Sequence, residues 1–176
     1  MSQVFLAGCI HFGHNSMAVS RGFQDAECHD DFIIDNWNKV VHKRDMVYIL
    51  GDITMENKKV YHKLDKLNGR KVVVMGNHDM KNHVSELLKH VESVAGCIKY
   101  KSYMLTHIPV HPMEFDYRIN GNIHAHLHDL NVLKEDGTPD TRYVHVGMEK
   151  IDYTPVLFSD IDVTFKSINN LINKIY

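Results

Sequence analysis

The chain has 176 residues, 44% hydrophobic and 24% charged, which excludes a disordered or fibrous protein and fits one globular domain spanning residues 1–176. Twenty Lys and Arg against 22 Asp and Glu give a formal net charge of -2, so a basic sleeve for extended nucleic acid is not indicated. No apolar run approaches the roughly 20 residues of a membrane span.

Residues 1–8 carry no basic region ahead of their short apolar stretch and do not read as a signal peptide. The three cysteines, Cys9, Cys28 and Cys97, are irregularly spaced and form no disulfide framework, so a reducing, cytoplasmic setting is expected. Residues 4–7 read as a buried strand, and residues 13–21 as a loop without a period. Phe32, Ile33, Trp37, Val40 and Val41 recur at steps that predict a helix over about 25–42. A buried strand is predicted at 46–50, then a helix at about 56–67 with Val60, Leu64 and Leu67 on one face and Gly69 as its stop. Another apolar strand follows at 72–75, and Val84, Leu87, Leu88 and Val91 give a third helical stripe. The alternation of strand and helix argues for a largely parallel sheet. Short strands at 98–100, 103–106, 122–124, 142–146 and 154–158 read as a second, mixed or antiparallel sheet, with a turn at 134–139. Ser159 is placed to cap a last helix carrying Phe165, Ile168, Leu171, Ile172 and Ile175.

Fourteen histidines are far more than this length predicts, and their positions matter more than their number. Cys9 and His11 follow the first strand, Asp52 the second, and Asn77, His78 and Asp79 the third. His107 follows the strand at 103–106, and His124, His126 and His128 follow Gly121. In open α/β sheets the ligand crevice lies beyond the carboxyl ends of the strands, so these residues are expected to meet there. Imidazole, carboxylate and amide oxygen suit zinc, manganese or iron. Five segments supply enough ligands for two ions, with Asp52 as the bridge. Taken alone, each piece also reads as ordinary structure: Gly51-Asp52 as a turn, His107 as a hydrogen-bonded strand end, residues 76–79 as a capping turn. The alternating histidines at 124, 126 and 128 are expected to share one strand face, where unpartnered imidazoles are costly.

These residues resemble the calcineurin-like metallophosphoesterases, in their small single-domain bacterial and phage form. The resemblance rests on Cys9-Ile10-His11-Phe12-Gly13-His14, Gly51-Asp52, Gly76-Asn77-His78-Asp79, Thr106-His107 and His124-Ala125-His126-Leu127-His128, followed by Val146-Gly147-Met148-Glu149 and Tyr153-Thr154-Pro155-Val156. It implies an α/β fold, a four-layer αββα sandwich of two mixed sheets flanked by helices. It implies that His11, Asp52 and His128 hold one metal ion, and that Asp52, Asn77, His107 and His126 hold the other. It implies hydrolysis of a small phosphoester, more plausibly a diester, by a metal-activated water without a phosphoenzyme. His78, beside Asn77, is implied to contact the phosphate and assist the leaving oxygen. His14 and Asn15 match a loop of the subgroup and are implied to support the centre or touch substrate; for His14 the plain alternative is a surface loop residue.

Three positions depart from the pattern. Cys9 stands in place of the first-motif Asp. It reads either as a thiolate ligand, which favours zinc or iron and is open to oxidation, or as a small buried residue. Ala125 stands where the pattern has Gly, tolerable unless the loop needs a positive φ there. His145 stands where Asn or Asp is common, facing substrate or packing across strands. Two other functions stay open: a single-metal or metal-free binding module, which loss of the Asp allows, and a metallohydrolase of another bond. His78 beside Asn77 favours phosphate over the latter.

Overall fold

A computed structural model describes residues 2–161 apart from Tyr117. Residues 158–161 are helical, so Ser159 lies within the first turn of the last helix rather than capping it; Phe165, Ile168, Leu171, Ile172 and Ile175 lie outside the described residues.

The parallel sheet forms from the continuous apolar strands. Strand β1 (Val4–Ala7) pairs in parallel with β2 (Met46–Ile49), β2 with β3 (Arg70–Val74), and β3 with β4 (Ser93–Ala95). The second sheet runs β5 (Ile98–Tyr100), β6 (Tyr103–Leu105), β7 (Gly121–His124) and β8 (Tyr143–His145). Its first pair is antiparallel and the other two are parallel. Strand β9 (Val156–Leu157) does not join that sheet, as its place in the sequence suggests. It lies antiparallel on β1 at the edge of the first sheet. With helices outside the two sheets the architecture is the αββα sandwich.

The helices diverge more from the periodicity. Residues 13–21 contain a short helix, α1 (Asn15–Ser20), which buries only Ala18 and so leaves no apolar stripe to read. Helix α2 (Ala26–Val40) starts where Asp25 accepts a hydrogen bond from the Cys28 backbone N–H at 2.8 Å. It buries Ile33, Ile34 and Trp37, and the Trp37 indole N–H donates to the Asn68 carbonyl at 2.9 Å. Phe32 is left 43% exposed, against Phe23 and Tyr153. Residues Lys58–Lys66 form a 3₁₀ helix, not an α-helix. Its buried side chains, Tyr61 and Leu64, continue to buried Leu67 at a strict spacing of three, the 3₁₀ period. The third stripe yields a 3₁₀ turn, Lys81–His83, and a four-residue helix α3 (Val84–Leu87); Leu88 points outward.

One continuous apolar core, including Leu6, Ile49, Val73, Leu105, Ile123 and Trp37, joins both sheets. Hydrogen bonds also tie the sheets at the end where the parallel strands finish. The Met148 N–H donates to the Gly8 carbonyl at 3.2 Å, and the His126 N–H to Cys9 Sγ at 3.1 Å.

Candidate metal centre

The loops that leave β1, β2, β3, β6 and β7 converge at the carboxyl ends of their strands. Cys9, His11, Asp52 and His107 are all buried there. Cys9, His11, Asp52, His126 and His128 all have left-handed backbone, with φ of 52, 57, 53, 70 and 51°. Non-glycine residues adopt this region at a cost, and such strain gathers at functional sites. Cys9 and His11 thus face the centre through left-handed turns. One expectation is corrected. Strand β7 stops at His124, so His126 and His128 reach the centre through left-handed turns beyond it rather than along a shared strand face. Ala125 itself needs no positive φ. Its methyl group instead fills the space beside Gly8, where an added Cβ would meet the Ala125 Cβ at 2.6 Å.

Two ligand groups emerge. The ligand atoms of Cys9, His11 and His128 lie within 4.8 Å of one another, as do those of Cys9, Asp52 and His107. His107 defines the second group most sharply. Its Nδ1–H donates to the Leu50 carbonyl at 2.8 Å, which fixes the ring. Its Nε2 then meets Asn77 Oδ1 at 2.9 Å, His126 Nδ1 at 3.1 Å and Asp52 Oδ2 at 3.3 Å. One proton on Nε2 serves only one of those acceptors, whereas a cation among the four atoms serves all. Burial pulls the His107 pKa down, but the Asp52 carboxylate outweighs it and holds the group above its ordinary value.

In the first group both His11 ring nitrogens are buried without a hydrogen-bond partner. The ring stacks on His128, centroids 5.5 Å apart. Burial, then the Arg21 charge, pushes His11 down to about 3, so it is the neutral, ligating form. Burial likewise pushes the Cys9 thiol up to about 12. Its Sγ accepts a hydrogen bond from the His126 backbone N–H at 3.1 Å. A buried imidazole with two orphaned nitrogens beside a buried sulfur and a carboxylate is a donor set that fits a transition metal.

Asp52 is held for this use. Its Oδ1 accepts from the His78 backbone N–H at 3.0 Å, leaving Oδ2 to face His107 and, at 3.9 Å, His11 Nε2. His78 and His14 flank the centre, with ring centroids 6.1 and 6.2 Å from that of His11. The His78 Nδ1 lies 3.6 Å from Glu56 Oε1. His145 stacks on His124, centroids 4.9 Å apart and 9° from parallel, and both its ring nitrogens lack a partner.

Several residues of the site escape a reading by motif roles alone. Asp79 accepts the backbone N–H groups of Asp52 at 2.8 Å, Gly76 at 2.9 Å and Ile53 at 3.2 Å, clamping two ligand loops together. The His128 Nδ1–H donates to Glu149 Oε1 at 2.8 Å, which presents Nε2 outward. The same oxygen accepts Arg21 Nε at 2.9 Å and Nη2 at 2.7 Å. Arg21 also donates to the carbonyls of Cys9 and Ile10, at 2.8 and 3.1 Å. Beyond it His29 and Asp30 continue the network, and Asp30 Oδ2 accepts the Gly13 N–H at 2.8 Å and Lys63 Nζ at 2.6 Å. Arg21 and Glu149 are 128 positions apart, so only Glu149, through its place in the Val146–Glu149 motif, carries any sequence signal.

An uncharacterized protein of Methanocaldococcus jannaschii is 32% identical over 89% of this chain and 87% of its own length. The chain belongs to the same family. The gene 66 protein of Mycobacterium phage L5, 30% identical over 85% of this chain and 87% of its own length, is a further relative. Among solved structures, a protein of unknown function from Aquifex aeolicus superposes with a TM-score of 0.69 at 22% identity, covering 92% of this chain and 98% of the other. Pseudomonas putida nuclease MPE does so with a TM-score of 0.51 at 19% identity, covering 74% and 64%. The chain therefore shares the fold of these two structures. No protein-family model matches the chain.

Proposed function

We propose that the protein is a metal-dependent phosphodiesterase built on two transition-metal ions, zinc, iron or manganese. The observation that carries this reading is the convergence on His107 Nε2 of Asn77, His126 and Asp52 within 3.3 Å, beside a His11 ring with no partner. Cys9, His11, Asp52 and His128 are assigned to one ion, and Asp52, Asn77, His107 and His126 to the other. Such a pair activates a water and balances the charge that builds on phosphoryl oxygens.

The protein supplies the rest. Asp52 turns Oδ2 toward His107 at 3.3 Å and His11 at 3.9 Å, while its other oxygen is pinned by the His78 backbone. His78, partly exposed beside the centre, is positioned to donate a proton to the leaving oxygen, and His14 flanks the same opening. Arg21 and Glu149 hold the first-motif loop and His128 in register. The fold shared with a nuclease supports a diester substrate. The net charge of -2 favours a small one over an extended nucleic acid.

Cys9 supports a second reading. Burial favours its protonated thiol, and a protonated Cys9 leaves a single-ion or metal-free binding module. Metal content of protein purified under reductant, measured together with hydrolysis of an activated aryl phosphodiester, separates the two. Two ions per chain with turnover, both lost in Asp52→Asn, are expected. One ion or none after supplementation with zinc and manganese, without turnover, would establish the binding module instead.

A further inference from the structure

Cys9 does not sit at the edge of the first ligand group. Its sulfur lies within 4.8 Å of the ligand atoms of His11 and His128, and within the same distance of those of Asp52 and His107. Two ligand atoms on one ion are at most about 4.6 Å apart, twice a zinc–sulfur bond, so both triads are close to the reach of a single ion. Cys9 belongs to both. No other side chain among the described residues does, and the Asp52 carboxylate enters only the triad with His107.

The backbone explains the placement. The Cys9 N–H donates to the Gly51 carbonyl at 2.9 Å, which anchors its left-handed backbone, φ of 52°, beside the loop that carries Asp52. The sulfur meets the His126 N–H at 3.1 Å, and so touches the loop that carries a ligand of the second group. His11, two residues away, serves the first. Its ring is 1% exposed, and both nitrogens lack partners. The orphaned imidazole is independent evidence that this end of the cluster is built around a cation.

We propose that the Cys9 thiolate is a second bridge beside Asp52, ligating both metal ions. The inference rests on the two-ion reading of the site. On ligation the thiol proton leaves to solvent and two of the three thiolate lone pairs are engaged, the third remaining for the His126 N–H. A soft donor common to both positions selects zinc, iron or cobalt at each and disfavours magnesium at either.

Cobalt(II) is the probe, added to chelator-stripped protein under reductant, because a cobalt–thiolate bond absorbs in the near ultraviolet. His128→Ala weakens the first position and His126→Ala the second; both residues are partly exposed, which spares the core. A shared sulfur gives the thiolate band in both variants, each with one cobalt bound. Cys9→Ser is then expected to abolish the band and loosen both ions. A band in only one of the two histidine variants makes Cys9 a terminal ligand and overturns the bridge. So does a saturated wild-type protein without the band, or a Cys9→Ser protein that keeps both ions as tightly as wild type. Protein that takes up no cobalt overturns the bridge together with the two-ion reading. The band in both histidine variants without diester hydrolysis by the wild type would sink the hydrolase and support the bridge.

Discussion

At the scale of single residues, the site divides into atoms that face the cluster and atoms that aim them. Glu149 aims His128. Burial alone would raise its pKa, but the His128 hydrogen bond and the Arg21 charge hold it at about 2. It is therefore a fixed anion, and Glu149→Gln is expected to loosen the first ion by about 10–100-fold, the usual cost of losing such a partner. Metal titration checks this; unchanged affinity would reduce Glu149 to a structural ion pair with Arg21. His78 faces the cluster without being assigned to an ion. His78→Ala is expected to keep both ions yet slow diester hydrolysis by about 10²–10⁴-fold, most for poor leaving groups. Equal slowing across leaving groups would leave it a positioning role only. The residues that converge were legible because each directly follows an apolar strand or stands in a short motif. Arg21, His29 and Asp30 were not. They act through contacts between segments that no local pattern relates, and a buried Arg just after a short helix looks like any surface Arg until its partners are seen.

At the scale of elements, strands were easier to read than helices. A continuous run such as residues 72–75 has one explanation when Gly bounds it, and β3 is there. Over nine residues, periods of 3.0 and 3.6 place almost the same side chains on one face, so residues 58–66 read as an α-helix from spacing alone. Ser93–Ala95 is a three-residue strand with too little pattern to show. The connection between β2 and the centre is tighter than either. Gly51 has φ of +78°, and a Cβ there would press on the backbone of Gly76 and lie 2.7 Å from His107 Nδ1. Gly22 has φ of +85° with open space around it. Alanine costs about 1–2 kcal/mol at either position from backbone strain alone. Gly51→Ala is expected to cost more than Gly22→Ala in urea unfolding and also to loosen the second ion. Equal costs would mean that the loops of Asp52 and Asn77 shift apart freely.

At the scale of the whole molecule, the histidines set the response to acid. Burial pushes His124 down to about 4, and burial followed by neighbouring cations pushes His11 and His145 down to about 3. Each binds its proton in the unfolded chain near the ordinary value of 6.5 and refuses it in the fold. The unfolded state therefore gains protons first, and stability falls as pH drops below about 6.5 toward those lower values. His107, raised by Asp52, runs the other way: its contribution is full below 6.5 and is lost as pH rises through its folded value. Burial lowers His14 and His126 as well, so five groups against one leave a net loss in acid. Metal-free protein is thus expected to need less urea to unfold at pH 5 than at pH 7.5, before carboxylates begin to titrate. An unfolding midpoint flat down to pH 4.5 would show that these rings reach water in the fold.

The parallel strands also give the molecule a direction. Every ligand loop leaves a carboxyl end, while Ser2 sits at the opposite end, its hydroxyl donating to the Arg44 carbonyl at 2.7 Å just ahead of β2. Strand β9 runs back toward that same end, with Leu157 beside Phe5. A linker attached at Ser2 therefore leaves from the floor of the sandwich. Protein tethered to a solid support through it would stand with the centre facing the liquid, open to a substrate arriving from solution.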